Sequence, residues 1–196
     1  MTRLVLIRHG RTAWNTQGRM QGRADRPLSA AGRRQVGAWT VPETWRDYDW
    51  ITSPLKRTRD TAKMLIGHVP PVEQRLIEMD WGRWEGCRLA DLRVEMGEEF
   101  DRMAAGGIEF QRPGGESPRQ VQMRLRPLLA EIADRRRPTV GVTHRGVVRA
   151  VYAEAVEWDM TGEPPHELRD DCAQVFTLDR DGRCRVEHLN VDLRAP

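Results

Sequence analysis

Two histidines occupy matching places in the chain. His9 follows the apolar run Leu4–Ile7 within Arg8-His9-Gly10-Arg11, and His144 follows Thr139–Thr143 within His144-Arg145-Gly146. Each run reads as a buried strand. In an open α/β sheet, ligands bind at the carboxyl ends of strands, where loops and helix N-termini converge. The residues beside both histidines are those that hold an anion: glycine lets backbone N–H groups approach closely, and arginine presents a planar fork of donors. One strand-end histidine is an ordinary structural residue. Two, both set in anion-binding surroundings, point to chemistry on an anionic group.

The elements that must carry these residues follow from pattern and punctuation. Thr2–Ile7 is expected as the first strand, with a polar, Gly-rich loop to Leu28. Ser29 should cap a helix reaching about Trp39, and Trp50–Thr52 reads as a short strand stopped by Ser53-Pro54. Leu55, Thr58, Ala62 and Leu65 recur at helical spacing and Gly67 closes that helix. Val72–Ile77 is expected as a third strand, and Arg88–Gly107 as short helices. Ser117-Pro118-Arg119-Gln120 has the capping-box pattern with proline at the first helical position, and Pro127 predicts a kink further along. Thr139–Thr143 should lead into a helix over Gly146–Val156, and Asp181-Gly182 should turn a hairpin between Val175–Leu178 and Cys184–Leu189. Strands alternating with helices imply an α/β fold, a three-layer sandwich. Its central sheet should be mostly parallel with an antiparallel strand, and helices should cover both faces.

Composition narrows the class. The 196 residues suit a single domain, 1–196, with 88–116 expected as a small cap over the site. Apolar runs of four or five residues are far below the roughly 20 needed to span a bilayer, so no membrane association is expected. Arg8 and His9 interrupt the first apolar run too early for a secretory signal. Cys87, Cys172 and Cys184 are odd in number and lack C-x-x-C spacing, which argues against disulfides and zinc and fits the cytoplasm. The chain has 30 arginines and only Lys56 and Lys63, but 29 carboxylates hold the net charge to +3. The arginines are dispersed among acidic and polar neighbours, so no nucleic-acid partner is expected. Asp179-Arg180-Asp181-Gly182 opens like a calcium loop, but the later ligands are missing and a turn is the better reading.

Longer stretches carry a family resemblance. Leu6-Ile7-Arg8-His9-Gly10-Arg11-Thr12-Ala13-Trp14-Asn15 resembles the signature of the histidine phosphatase superfamily, the phosphoglycerate-mutase-like proteins. Gly18–Gly22 with Asp25–Ser29, Ser53–Thr58 with Thr61-Ala62, Leu76–Glu78 with Gly82–Gly86, Pro113–Ser117 and Thr143–Val147 follow in the family's order. The resemblance implies a cofactor- and metal-independent phosphatase hydrolysing small phosphate monoesters through a phosphohistidine. It assigns the nucleophile to His9 and the general acid to Glu78, with Asp80 and Glu85 as nearby rivals. Arg8, Arg57 and His144 match the phosphate pocket, and Asn15 and Gln21 match auxiliary phosphate contacts. Trp14 and Trp84 are expected to pack rather than to line the site.

The chain departs from the family pattern at Arg11, where Glu or Gln is common, and at Arg145, where Gly is usual. Both arginines are expected to bear on substrate selection. Three alternatives stay open: phosphoryl transfer of the phosphoglycerate-mutase type, α-ribazole phosphate hydrolysis, and a non-catalytic module binding phospho-ligands or proteins. The expected partner is a small phosphorylated metabolite, and homodimerisation is left open.

Overall fold

The first strand, β1 (Thr2–Arg8), places Leu4, Val5, Leu6 and Ile7 in succession. Neighbouring side chains on a strand face opposite ways, so such a strand must be covered on both sides. The computed structural model, which describes residues 1–194, shows that cover. After β1 come α1 (Ala13–Thr16), α2 (Ala30–Gly37), β2 (Asp49–Thr52), α3 (Lys56–Ile66), α4 (Leu89–Met96) and α5 (Glu98–Ala104). The chain continues through α6 (Pro118–Arg135), β3 (Thr139–Thr143), α7 (Arg145–Ala155), β4 (Cys172–Leu178) and β5 (Cys184–Asp192).

The strands form one sheet in the order β2-β3-β1-β4-β5. β3 is parallel to β1 and β2, while β4 is antiparallel to β1 and β5, so β4 alone runs against the rest. Leu4 and Leu6 face α6 and α7, packing with Leu125, Leu128, Val147 and Val151. Val5 and Ile7 face α2 and α3, packing with Val36, Ala62, Trp45 and Trp50. Two cores back to back on one sheet make the three-layer α/β sandwich. A third cluster, Trp84, Leu92 and Phe100 with Phe110 and Met96 against it, organises the 88–116 segment.

Register then sets the site. Ile7 pairs with Val142 and Arg8 with Thr143, so His9 and His144 leave the sheet side by side. The His9 N–H donates to the Thr143 carbonyl at 3.0 Å, extending the ladder by one bond.

Several boundaries differ from the sequence expectations. Val72–Ile77 is not a strand: Val72 makes one bridge to Thr52, and Gln74–Leu76 closes a 3-10 turn. The Glu73 carboxylate accepts from the Arg75 backbone N–H and from its guanidinium, which folds the segment back on itself. α2 stops at Gly37, before Trp39, which is nevertheless buried. α6 runs on through Pro127 as one element, on a side where Pro127 and Met123 are exposed and the freed Met123 carbonyl can meet water. The capping box at Ser117 and Gln120 and the hairpin between β4 and β5 form as expected.

Candidate active site

His9 is buried, and its Nδ1 lies 2.7 Å from the Gly10 carbonyl oxygen. A carbonyl only accepts, so Nδ1 carries the proton and Nε2 keeps its lone pair. The Arg57 Nε–H donates to that nitrogen at 3.2 Å. Burial, then the charges of Arg8 and Arg57, hold the His9 imidazole well below its ordinary pKa of 6.5. The ring is therefore neutral, and its one unprotonated nitrogen, Nε2, holds a lone pair that here accepts from Arg57.

Arg57 comes from the first turn of α3 and is fully buried. Its Nη1 and Nη2 donate to the carbonyls of Ala24 and Gly22 at 2.9 and 2.7 Å. No described carboxylate forms an ion pair with it, so its charge stays available to an anion. The turn that delivers it is closed by the first loop: the Asp25 carboxylate accepts from the Lys56 N–H at 2.7 Å. Thr61, one turn further along α3, accepts from the Gly10 N–H at 3.1 Å and ties the helix to the strand end.

His144 is fully buried, its ring centroid 5.2 Å from that of His9 in an edge-on arrangement. Its Nε2 lies 2.7 Å from Ser53 Oγ, while its Nδ1 has no partner. Burial first, then Arg57, His9 and Arg8, push its pKa well below 6.5. With the Ser53 hydroxyl donating to Nε2, the Nδ1–H becomes an unpaired buried donor beside His9.

Glu78 is buried at the N-terminus of α7, accepting from the Met79 and Gly146 N–H groups at 2.8 and 3.2 Å. A methyl group at Gly146 would overlap the Glu78 carboxylate, so glycine is required there for close approach. The rival acids are engaged elsewhere: Asp80 accepts from the Gly82 N–H and pairs with Arg23, and Glu85 accepts from the Arg23 and Ala24 N–H groups.

The remaining candidates lie at varied distances from this centre. The Arg8 Nη1 is ion-paired with Asp170, in the loop before β4, and its Nε is buried without a partner. The Asn15 Oδ1 accepts from the Thr12 N–H at 2.9 Å, completing the capping box of α1. The buried Gln21 Oε1 accepts from the Thr12 hydroxyl at 2.8 Å. Arg145 is exposed, with Nε 3.9 Å from Asp170. Arg11 is exposed, and its backbone carbonyl accepts from the Ser29 N–H beside α2, so the structure does not draw its side chain in. Trp84 lies in the aromatic cluster with Phe100 and Phe110, and Trp14 lies 4.2 Å beneath the Arg26 guanidinium. Ser53, Thr61 and Asp170 were absent from the sequence-based set. Each acts across a tertiary contact: Ser53 and Thr61 lie in the family-like stretch around Arg57, and Asp170 lies outside every such stretch.

The sequence profile of the histidine phosphatase superfamily (branch 1) matches residues 4–192. Phosphoserine phosphatase 1 of Hydrogenobacter thermophilus is 32% identical over 168 residues, covering 82% of this chain and 79% of the relative. Glucosyl-3-phosphoglycerate phosphatase of Mycobacterium tuberculosis is 34% identical over 177 residues, covering 83% and 78%. The native structure of mycobacterial glucosyl-3-phosphoglycerate phosphatase superposes with a TM-score of 0.80 at 29% identity, covering 98% of this chain and 100% of that one. No described helix is long and apolar enough to cross a membrane. A profile match over nearly the whole chain, and a fold shared with a solved phosphatase, place this chain in the histidine phosphatase superfamily, branch 1, as a phosphatase of that family.

Proposed function

We propose that the protein hydrolyses small phosphate monoesters in two displacements through a phosphohistidine at His9, without a metal. The observation that carries this reading is the tautomer of His9: Nδ1 tied to the Gly10 carbonyl, Nε2 unprotonated beside a buried Arg57 that lacks a carboxylate partner. The Arg57 Nε–H turns from Nε2 to the phosphate, Nε2 attacks phosphorus, the P–N bond forms, and the bond to the ester oxygen breaks. Glu78 gives that oxygen its proton. The resulting carboxylate then takes a proton from water, which attacks the phosphohistidine, releases inorganic phosphate and restores neutral His9. Arg8, Arg57 and the His144 Nδ1–H are donors for the three equatorial oxygens, the charge stabilisation on which phosphoryl transfer depends. For Arg8 this means sharing or leaving Asp170. Asn15 and Gln21 hold the first loop against the phosphate, and the 88–116 segment caps the site.

Acid-quenched enzyme mixed with an aryl phosphate should carry an acid-labile, base-stable phosphate on His9, and chelator should leave turnover intact. His9→Ala should lose both the adduct and turnover. Near-normal turnover in that variant would overturn the mechanism.

A further inference from the structure

Glu78 lies within residues 77–81, a stretch that belongs to neither a helix nor a strand. Its peptide groups have no ladder to join, so the side chains that satisfy them also decide where the carboxylate points. One ion pair supplies those partners on both flanks of Glu78. On the N-terminal side, Arg124 of α6 donates through Nη2 to the Ile77 carbonyl at 2.7 Å and through Nη1 to the Arg75 carbonyl. On the C-terminal side, the Glu116 carboxylate accepts from the Asp80 N–H at 3.1 Å, and the Glu116 N–H donates to the Asp80 carbonyl at 2.9 Å.

The two side chains also meet each other. Arg124 donates to Glu116 through Nε at 3.1 Å and Nη2 at 3.3 Å, each side chain being only 18% exposed. A planar guanidinium suits this place, because its fork reaches two carbonyls and a carboxylate at fixed angles. A methyl group at Gly115 would run into the Asp80 carbonyl, so glycine there lets the chain before α6 lie against the segment that carries the acid.

The same carboxylate reaches the first loop. Arg23 Nη2 donates to Glu116 at 2.9 Å, and Arg23 Nη1 lies 3.3 Å from the Asp80 carboxylate. The carbonyls on either side of Arg23, those of Gly22 and Ala24, hold the Arg57 guanidinium that donates to His9. Glu116 thus stands where the acid's segment joins the loop that orients the group at the nucleophile. The placement matters, since a shift of about 1 Å in a reacting group costs on the order of a hundred-fold in rate.

We infer that Glu116 and Arg124 are positioning residues for proton delivery. They set the Glu78 carboxylate against His9 and Arg57, and so govern departure of the leaving oxygen rather than binding of the phosphate. This rests on the reading of Glu78 as the acid.

Leaving group and amide exchange test it together. Glu116→Gln keeps the side chain's length but turns an NH2 group towards guanidinium donors, and Arg124→Lys keeps the charge but loses the fork. Each should lower kcat on glycerol 3-phosphate about ten-fold, with KM little changed, and lower kcat on p-nitrophenyl phosphate less than about two-fold. Arg126→Met, at an exposed α6 arginine, should leave both rates as they are. The Gly146 N–H, which donates to the Glu78 carboxylate from α7, should exchange faster in both variants. The Val148 N–H, bonded to the His144 carbonyl in the same helix, should keep its rate. Where Glu116→Gln fails to fold, Arg124→Lys carries the test.

Equal losses on the two esters, or a lower Tm with both rates and the Gly146 exchange unchanged, would make the pair structural and overturn the inference. If the wild type hydrolyses neither ester, or Glu78→Gln slows both alike, the acid assignment falls and exchange alone decides. Faster exchange at Gly146 then keeps the positioning of Glu78, and unchanged exchange overturns that as well.

Discussion

At the residue scale, the site works by keeping charged and neutral groups apart. Two buried imidazoles stay neutral because burial and neighbouring guanidinium groups penalise a further positive charge. Their pKa values are depressed in the folded chain and return to about 6.5 on unfolding. Below that pH the unfolded chain binds more protons, so stability is full above about pH 6.5 and falls as pH falls. The slope approaches about 1.4 kcal/mol per pH unit for each histidine. Urea melts at pH 7.5 and pH 5.5, above the range where carboxylates titrate, should differ by about 2–3 kcal/mol. Equal midpoints and slopes would show that these imidazoles are charged when folded. Glu78 is tested by leaving group. Glu78→Gln keeps the shape and an acceptor for one of the Met79 and Gly146 N–H groups but has no proton to give. It should slow alkyl phosphates about 100-fold or more and aryl phosphates far less. Equal losses on both would reduce Glu78 to a structural residue.

At the element scale, loops and helices hold the cations still. The first loop is gripped from behind by Glu85, whose carboxylate accepts from the Arg23 and Ala24 N–H groups at 2.5 and 3.0 Å. The carbonyls of Gly22 and Ala24 in turn orient Arg57. Glu85→Ala should therefore lower kcat roughly ten-fold with a smaller change in KM, and Glu85→Gln should recover part of it. A variant that loses Tm but keeps kcat would show that the grip serves stability alone. The parts of this arrangement legible in the sequence are those with local signals. The two strand ends bearing histidine, the Ser117 capping box and the hairpin at Asp181-Gly182 each rest on contiguous residues. The Arg8–Asp170 pair does not: it is decided by packing between segments far apart in the chain. The Val72–Ile77 expectation went astray for a related reason. Val72, Leu76 and Ile77 are apolar enough for a strand, but the Glu73–Arg75 pairing and the Arg75–Glu131 bridge to α6 favour a turn.

At the scale of the whole molecule, the strand order has a consequence for how the protein comes into being. β1 is completed within the first eight residues, yet its partners are β3, from Thr139, and β4, from Cys172. At roughly 5–20 residues per second, a ribosome takes on the order of ten seconds or more to deliver the first partner. Through that interval Leu4–Ile7, apolar on both faces, has no sheet to join. Non-local pairing of this kind also makes the search for the native topology slow. His9, at the end of β1, is thus synthesised more than a hundred residues before β3, and its setting is assembled only after β3 emerges. A nascent chain stopped before β3 would present an unpaired apolar strand, a target for chaperones and proteases before it is ever an enzyme.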